Sequence, residues 1–405
     1  MEDVAMPIRW PKGKRPCFVG VGQSPCVRID ITPNFVPRSL SDISHEAATK
    51  AIADAGLTAK DIDGISVFPM SAAHGAAVEQ PGVDMVDAAH MMQVLGLENV
   101  RWYAELIGPM AVTSIIEAAN ALASGSCNYV LVWRSLHHPV GVTYRRIRST
   151  TAGQEAQFRL PYGYDSYQAL HHTRYMEKYG ATREEMGAWI VHSNRNAQIN
   201  ENSVWRGKTI TLEQYMKARF ISYPMCLYDY DMPVDVCACV IITTEDRAKD
   251  TPHPGGYIAG YGLSPYNKLK GGVVPPLEEL YEMNSLLARN MYESAGMGPK
   301  DVDVAQIYDG FSPMVWTWLE VFGFCGVGEA HLWTQGGRVA IDGEMPINTF
   351  GGSLGEGRIH GMGHITETAR QMMGTAGPSQ VKGAEVALCQ VGTFLGGASF
   401  ICTRE

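Results

Sequence analysis

A fifteen-residue pattern that occurs twice does most to limit the folds open to this chain. DAGLTAKDIDGISVF ends at Phe68 and SAGMGPKDVDVAQIY ends at Tyr308, with a constant offset of 240 positions. The offset carries Ala55 to Ala295, Gly56 to Gly296, Lys60 to Lys300, Asp61 to Asp301 and Asp63 to Asp303. Each copy reads as a helix closed by a glycine, which alone accepts a left-handed backbone cheaply, and then a strand. The spacing is too wide for a solenoid, so it signals a duplicated half. Two similar α/β halves packed together are the simplest architecture, and 405 residues suffice for both. Residues 1–250 read as the first half and 251–405 as the second.

The remaining pattern fits this plan. Residues 17–24, CFVGVGQS, read as a first strand closing in a glycine turn. Residues 42–55 read as an amphipathic helix and 62–68 as a strand. Residues 100–107 read as a strand, and 108–125, GPMAVTSIIEAANALASG, as a helix apolar on most faces, hence buried. Residues 128–133 give the next strand. Residues 135–222, rich in Tyr, Arg, His and Gln, break the rhythm, with helices near 170–179 and 183–199. They read as an insertion over the active-site face. Strands follow at 237–244 and 256–262, a helix at 277–295, and final strands at 384–389 and 395–402.

A net charge of −9 argues against nucleic acid as the main partner. No apolar run approaches the ~20 residues that span a bilayer. The first residues, MEDVAMPIRWPKGKRP, lack the apolar core of a signal peptide, which points to the cytoplasm. The cysteines are nine, an odd and scattered set that reads as reduced thiols. Cys237 and Cys239 lie two apart in an apolar strand and match no common zinc spacing. His137–His138 and His171–His172 are adjacent pairs, which share neither a helix face nor a strand face, so no metal is expected.

Residues 346–367, PINTFGGSLGEGRIHGMGHITE, gather six glycines around His360. Such density means tight turns and close approach to the main chain. A histidine there is a candidate acid, base or hydrogen-bond donor, or else the organiser of its own loop.

Three segments carry a resemblance to the thiolase superfamily. GRIHGMG at 357–363 sits where thiolases have Gly-His-Pro-x-Gly, with His360 over their histidine. YDGF at 308–311 sits where they have Asn-Glu-Ala-Phe. GTFLGGA at 392–398 resembles their C-terminal glycine loop. The resemblance implies the thiolase fold, a pseudo-duplicated five-layer αβαβα sandwich. It also places the nucleophile position at Gly108, where this chain has no cysteine; none occurs between Cys26 and Cys127. The acyl-enzyme route is therefore closed. Cys389 falls near the second thiolase cysteine, which could not replace the nucleophile, and reads first as a buried strand thiol. What remains is similar to the thiolase-like aldolases of bacterial steroid side-chain degradation, through Tyr308–Phe311, Met345–Gly352 and Ile359–Met362. Those aldolases can carry a second tyrosine two residues before the histidine; Arg358 stands there in this chain.

Retro-aldol cleavage needs a base for the β-hydroxyl and donors for the enolate, and no covalent intermediate. The resemblance gives Tyr308 the acid/base role, with Arg358 and His360 as the cations that favour a phenolate. His360 would donate to the thioester oxygen, with backbone N–H groups near Gly396 and Gly397 and the Gly108 turn completing the oxyanion site. Asp309 reads as a cap of the turn that follows it. Asn348 either faces substrate or braces the backbone, as does Glu356. Arg145, Arg146 and Arg148 are candidates for the CoA phosphates, CoA being part of the substrate and no cofactor being tightly bound. The competing function is a non-catalytic thiolase-like subunit that binds a lipid-CoA or scaffolds a partner. The resemblance further implies a homodimer paired through residues 100–107. It also implies a small OB-fold, zinc-ribbon partner, often fused to a hydratase, for which Tyr144, Tyr162, Tyr164, Tyr167, Tyr175 and Tyr179 offer a docking surface.

Overall fold

The computed structural model describes residues 8, 10–68, 86–106, 111–137, 166–253, 255–265 and 275–405. Its strands are β1 (Pro16–Gln23), β2 (Gly64–Val67), β3 (Trp102–Glu105), β4 (Val130–Leu136), β5 (Phe220–Ser222), β6 (Met225–Cys226), β7 (Val236–Thr244), β8 (Gly256–Leu263), β9 (Val304–Ile307), β10 (Val386–Thr393) and β11 (Gly396–Thr403). β5 and β6 form a separate hairpin. The others form one sheet in the order β3-β2-β4-β7-β1-β8-β11-β10-β9.

The duplication is visible in that order. Read outward from the centre, β1-β7-β4-β2 answers β8-β11-β10-β9. β2 runs parallel to β4 as β9 does to β10, and the inner neighbours are antiparallel in both sets. The two sets join where Cys17 and Phe18 of β1 meet Tyr257 and Gly256 of β8.

The 240-residue offset holds down to single hydrogen bonds. Asp61 accepts from the Thr58 N–H and Asp301 from the Gly298 N–H, both at 2.8 Å. Asp63 accepts from the backbone of Asn128 and Tyr129 at the head of β4. Asp303 does the same for Glu385 and Val386 at the head of β10. Each carboxylate thus satisfies donors that an open strand end would leave bare. Gly56 and Gly296 end their helices with φ of 70° and 67°.

The glycines of CFVGVGQS do not turn the chain, as the sequence reading expected. Gly20 and Gly22 lie inside β1, and a Cβ on Gly22 would sit 2.1 Å from the Ala47 carbonyl oxygen. At the equivalent Gly262 a Cβ would sit 2.4 Å from the Leu287 carbonyl oxygen. Bare glycine lets helices Leu40–Asp54 and Leu277–Ala295 ride directly on strand backbone. These two helices form the outer layers. Helices Ala111–Ala123 and Met362–Met373 each pack against strands of both halves and form the middle layer. The result is the αβαβα sandwich. The middle helices are buried along nearly their whole length, which explains their small and apolar residues.

The stretch between β4 and β7 contributes helices Ser166–Tyr179 and Arg183–Ala197. The second packs on the short helix Gly352–Glu356 of the glycine-rich stretch. Of the tyrosines expected on a docking surface, Tyr144, Tyr162 and Tyr164 lie outside the described residues. Tyr167 and Tyr175 are buried, and Tyr175 stacks among Tyr179, Trp316 and His331. Those described face the core, because their rings are what hold this stretch to the body. Among the described residues, no helix is long and apolar enough to cross a membrane.

Candidate active site

Four chain segments converge at one end of the strands: the ends of β4 and β9, the hairpin between β10 and β11, and the loop at 357–361. β4 is buried at every position and reads VLVWRSL. A charged residue within such a run needs a partner, because burying a bare charge costs several kcal/mol. Arg134, 2% exposed, finds its partners here. Its guanidinium donates to the Phe68 carbonyl at 3.1 Å and reaches His360 Nδ1 at 3.1 Å. Burial, then repulsion from Arg358, lowers its pKa to about 9, so it stays a cation at neutral pH. Sequence reasoning missed Arg134. The available signal was a lone arginine inside an apolar strand.

His360 has φ of 49° and is followed by Gly361 at 84°. A Cβ on Gly361 would lie 2.1 Å from Val391 Cγ1, so the loop presses against β10. Arginine has no acceptor, so the bond makes His360 Nδ1 the acceptor and leaves the ring proton on Nε2. Arg358 is largely buried, and its N–H donates to the Met232 carbonyl at 2.8 Å. That ties the loop to the segment leading into β7.

Tyr308 follows β9 and is buried, its N–H bonded to the Gln390 carbonyl at 3.1 Å. Its ring packs 5.7 Å from that of His364, and its hydroxyl lies over Gly310. A Cβ on Gly310 would meet that oxygen at 2.5 Å, which explains glycine in YDGF. Electrostatically, Tyr308 and Arg358 are the near neighbours of Arg134. The residues singled out as catalytic, Tyr308, Arg358 and His360, therefore lie together around an arginine from the other half.

Several other expectations change. Asp309 does not cap the turn after it. It accepts from the Ser353 N–H at 2.6 Å and contacts His364 Nε2 at 3.2 Å. It thereby starts helix Gly352–Glu356 from across the chain. Asn348 braces the backbone: its amide accepts from the Ile307 N–H at 2.7 Å and donates to the Ile307 carbonyl at 2.8 Å. Fully buried, it acts as a substitute strand partner for β9. Gly397 cannot offer its N–H to substrate, because that group donates to Ser264 Oγ at 2.9 Å. Gly396 pairs with Thr393 at the hairpin end. Glu356 braces the loop, accepting from Gln23 at 2.9 Å and Asn200 at 3.0 Å. Burial raises its carboxyl pKa against those bonds. Gly108, Arg145, Arg146 and Arg148 lie outside the described residues.

Cys389 is fully buried in β10, and burial pushes its thiol up to about 12. It is a poor nucleophile there. The adjacent histidines diverge as expected: His171 bonds the Pro275 carbonyl at 2.9 Å, while His172 packs on Trp316. His137 pairs with Asp235 at 2.9 Å.

Comparison with known proteins gives a consistent picture. Residues 283–401 match the family described as thiolase C-terminal domain-like. The chain is 31% identical over 390 residues to a 17-hydroxy-3-oxo-4-pregnene-20-carboxyl-CoA lyase of Mycobacterium tuberculosis, covering 93% of this chain and 96% of that one. It is 30% identical over 356 residues to a steroid side-chain-cleaving aldolase of Thermomonospora curvata, covering 84% and 87%. A solved structure described as the Ltp2-ChsH2(DUF35) aldolase superposes with a TM-score of 0.82 at 28% identity, covering 98% of each chain.

Proposed function

The chain belongs to the thiolase-like steroid side-chain-cleaving aldolases, carbon–carbon lyases built on the thiolase fold, and from that premise we propose that it cleaves a β-hydroxyacyl-CoA with a steroid or bile-acid side chain by a retro-aldol reaction. CoA enters as part of the substrate. Tyr308 takes the proton of the β-hydroxyl. The Cα–Cβ bond breaks, the oxygen becomes the carbonyl of a released ketone, and the electron pair passes through Cα to the thioester oxygen. His360 Nε2–H donates to that oxygen, and Arg358 offsets the negative charge. Protonation at Cα then yields the shortened acyl-CoA. Hydrogen bonds aimed at charge that grows only in the transition state are the most effective form of such help.

The observation that carries the reading is the burial of a phenol, an imidazole and two guanidinium groups around one point. That is an expensive arrangement for a scaffold. The test is Tyr308→Phe assayed for ketone release. A loss of kcat by about 10²-fold or more is expected for removal of a general base. A folded variant with wild-type turnover would sink the role of Tyr308, whereas a wild-type protein that binds acyl-CoA and releases no ketone would favour the lipid-CoA-binding subunit instead.

The assembly follows from the same membership. β3 is an edge strand of the sheet, with Tyr103 63% exposed. An open edge has unpaired backbone groups that a second copy can satisfy, so we place a homodimer contact there. The DUF35 protein in the description of the similar aldolase supports a partner of the OB-fold, zinc-ribbon kind. The setting is cytoplasmic.

A further inference from the structure

We infer that Arg134 is a positioning residue of the lyase site: its guanidinium holds His360 with the ring proton on Nε2 and keeps a fixed positive charge beside Tyr308. The inference rests on the proposed reaction and goes beyond it, because it adds a residue from the opposite half of the chain.

Arginines as buried as Arg134 are ordinarily paired with a carboxylate. Among the described residues, no carboxylate figures among its electrostatic neighbours, which are Arg358, Cys237 and Tyr308. Its Nε has no hydrogen-bond partner among the described residues. Its two described bonds go to a carbonyl and an imidazole, and the Phe68 ring lies 5.5 Å away. Placing a buried guanidinium next to a second arginine is a poor way to stabilise a fold. It is a good way to meet negative charge that arises only during reaction, on the Tyr308 oxygen or the enolate. The backbone agrees. His360 adopts a left-handed conformation that non-glycine residues seldom accept, and in it the ring reaches Arg134 across 226 positions of sequence.

The charged and titratable groups nearby are Arg358 from the loop and Cys237 from β7 beside Arg134, and His364 from helix Met362–Met373, with its partner Asp309 after β9, beside Tyr308. A variant at Arg134 keeps each of these side chains and removes only the guanidinium, so its effect can be read separately.

The experiment uses the full-length protein with Arg134→Met and Arg134→Lys. The first readout is the His360 tautomer in ¹⁵N-histidine-labelled protein, with the His360 signals assigned by their loss in His360→Asn. Wild type should carry the proton on Nε2, and both variants should shift the ratio toward Nδ1. The second readout is the pH profile of kcat/KM for ketone release. Arg134→Met should lower kcat by about 10²- to 10³-fold, the cost of removing one such donor. It should also move the ascending limb up by about 1–2 pH units, the usual effect of losing a nearby cation. Arg134→Lys should keep that limb close to wild type. If Arg134→Met does not fold, Arg134→Lys carries the tautomer measurement. The inference is overturned if wild-type His360 carries its proton on Nδ1. It is equally overturned if Arg134→Met lowers only the melting temperature and leaves the pH profile unchanged. The two readouts also separate the inference from its premise. A wild-type protein that releases no ketone from any β-hydroxyacyl-CoA refutes the reaction, while the tautomer measurement, which needs no substrate, still decides the Arg134–His360 relation.

Discussion

Gly310→Ala tests whether catalysis depends on where the Tyr308 phenol sits. Gly310 does not require a positive φ, so alanine suits its backbone. The new Cβ would instead lie 2.5 Å from the Tyr308 hydroxyl oxygen, 2.7 Å from Cζ and 3.0 Å from Cε1. Ordinary contact begins at 3.4 Å, so the ring must move by about 1 Å, a displacement that can cost 10²-fold in rate. Overpacking of this kind typically destabilises by about 1–3 kcal/mol, which leaves a protein of this size folded. The assay is steady-state ketone release at saturating substrate, beside a urea melt of the same sample. kcat should fall about 10²-fold with a modest loss of stability. In a Tyr308→Phe background the same substitution should cost far less, since the group being displaced is gone. If Gly310→Ala turns over within a factor of about three of wild type, well short of that loss, the phenol position is irrelevant and Tyr308 is not the base.

Asn348→Gly keeps the left-handed backbone but removes both bonds to Ile307. It should lower unfolding stability by on the order of 3 kcal/mol, because two buried backbone groups lose partners, and a thermal melt reads this directly. Acid should destabilise the protein through His172 and His192, whose pKa values burial depresses to about 3 and about 4. Folded values below the usual ~6.5 mean that stability is intact above pH ~6.5 and is lost as the pH falls toward 4, by at most ~1.4 kcal/mol per pH unit per histidine. Urea midpoints at pH 7 and pH 5 measure the slope, and His172→Phe should reduce it. Tyr103→Lys places charge on the open edge of β3 and should weaken self-association at least about tenfold, seen by sedimentation.

Much of the fold could be read from the sequence because its signals are local or repeated. The glycine stops at Gly56 and Gly296, and the strand-capping Asp63 and Asp303, recur at a fixed offset. Identical local chemistry builds the same helix–strand unit each time. Periodicity also located helices Leu277–Ala295 and Arg183–Ala197 within a residue or two. The site was legible only as far as its residues share a segment: Tyr308 in YDGF, and Arg358 and His360 in the glycine-rich loop.

The sequence by itself determined the duplication, the αβαβα class, and the absence of a cysteine where a thiolase needs its nucleophile. Only the tertiary structure decided what each polar group does. Gly397 was a plausible donor until Ser264 took its N–H, and Asn348 was a candidate for substrate until Ile307 took its amide. Arg134 was one charge in an apolar strand until the loop 226 positions away closed over it. The physical reason is that a hydrogen bond uses up its donor. Which donors remain for a substrate depends on contacts between distant segments, and no local pattern encodes these.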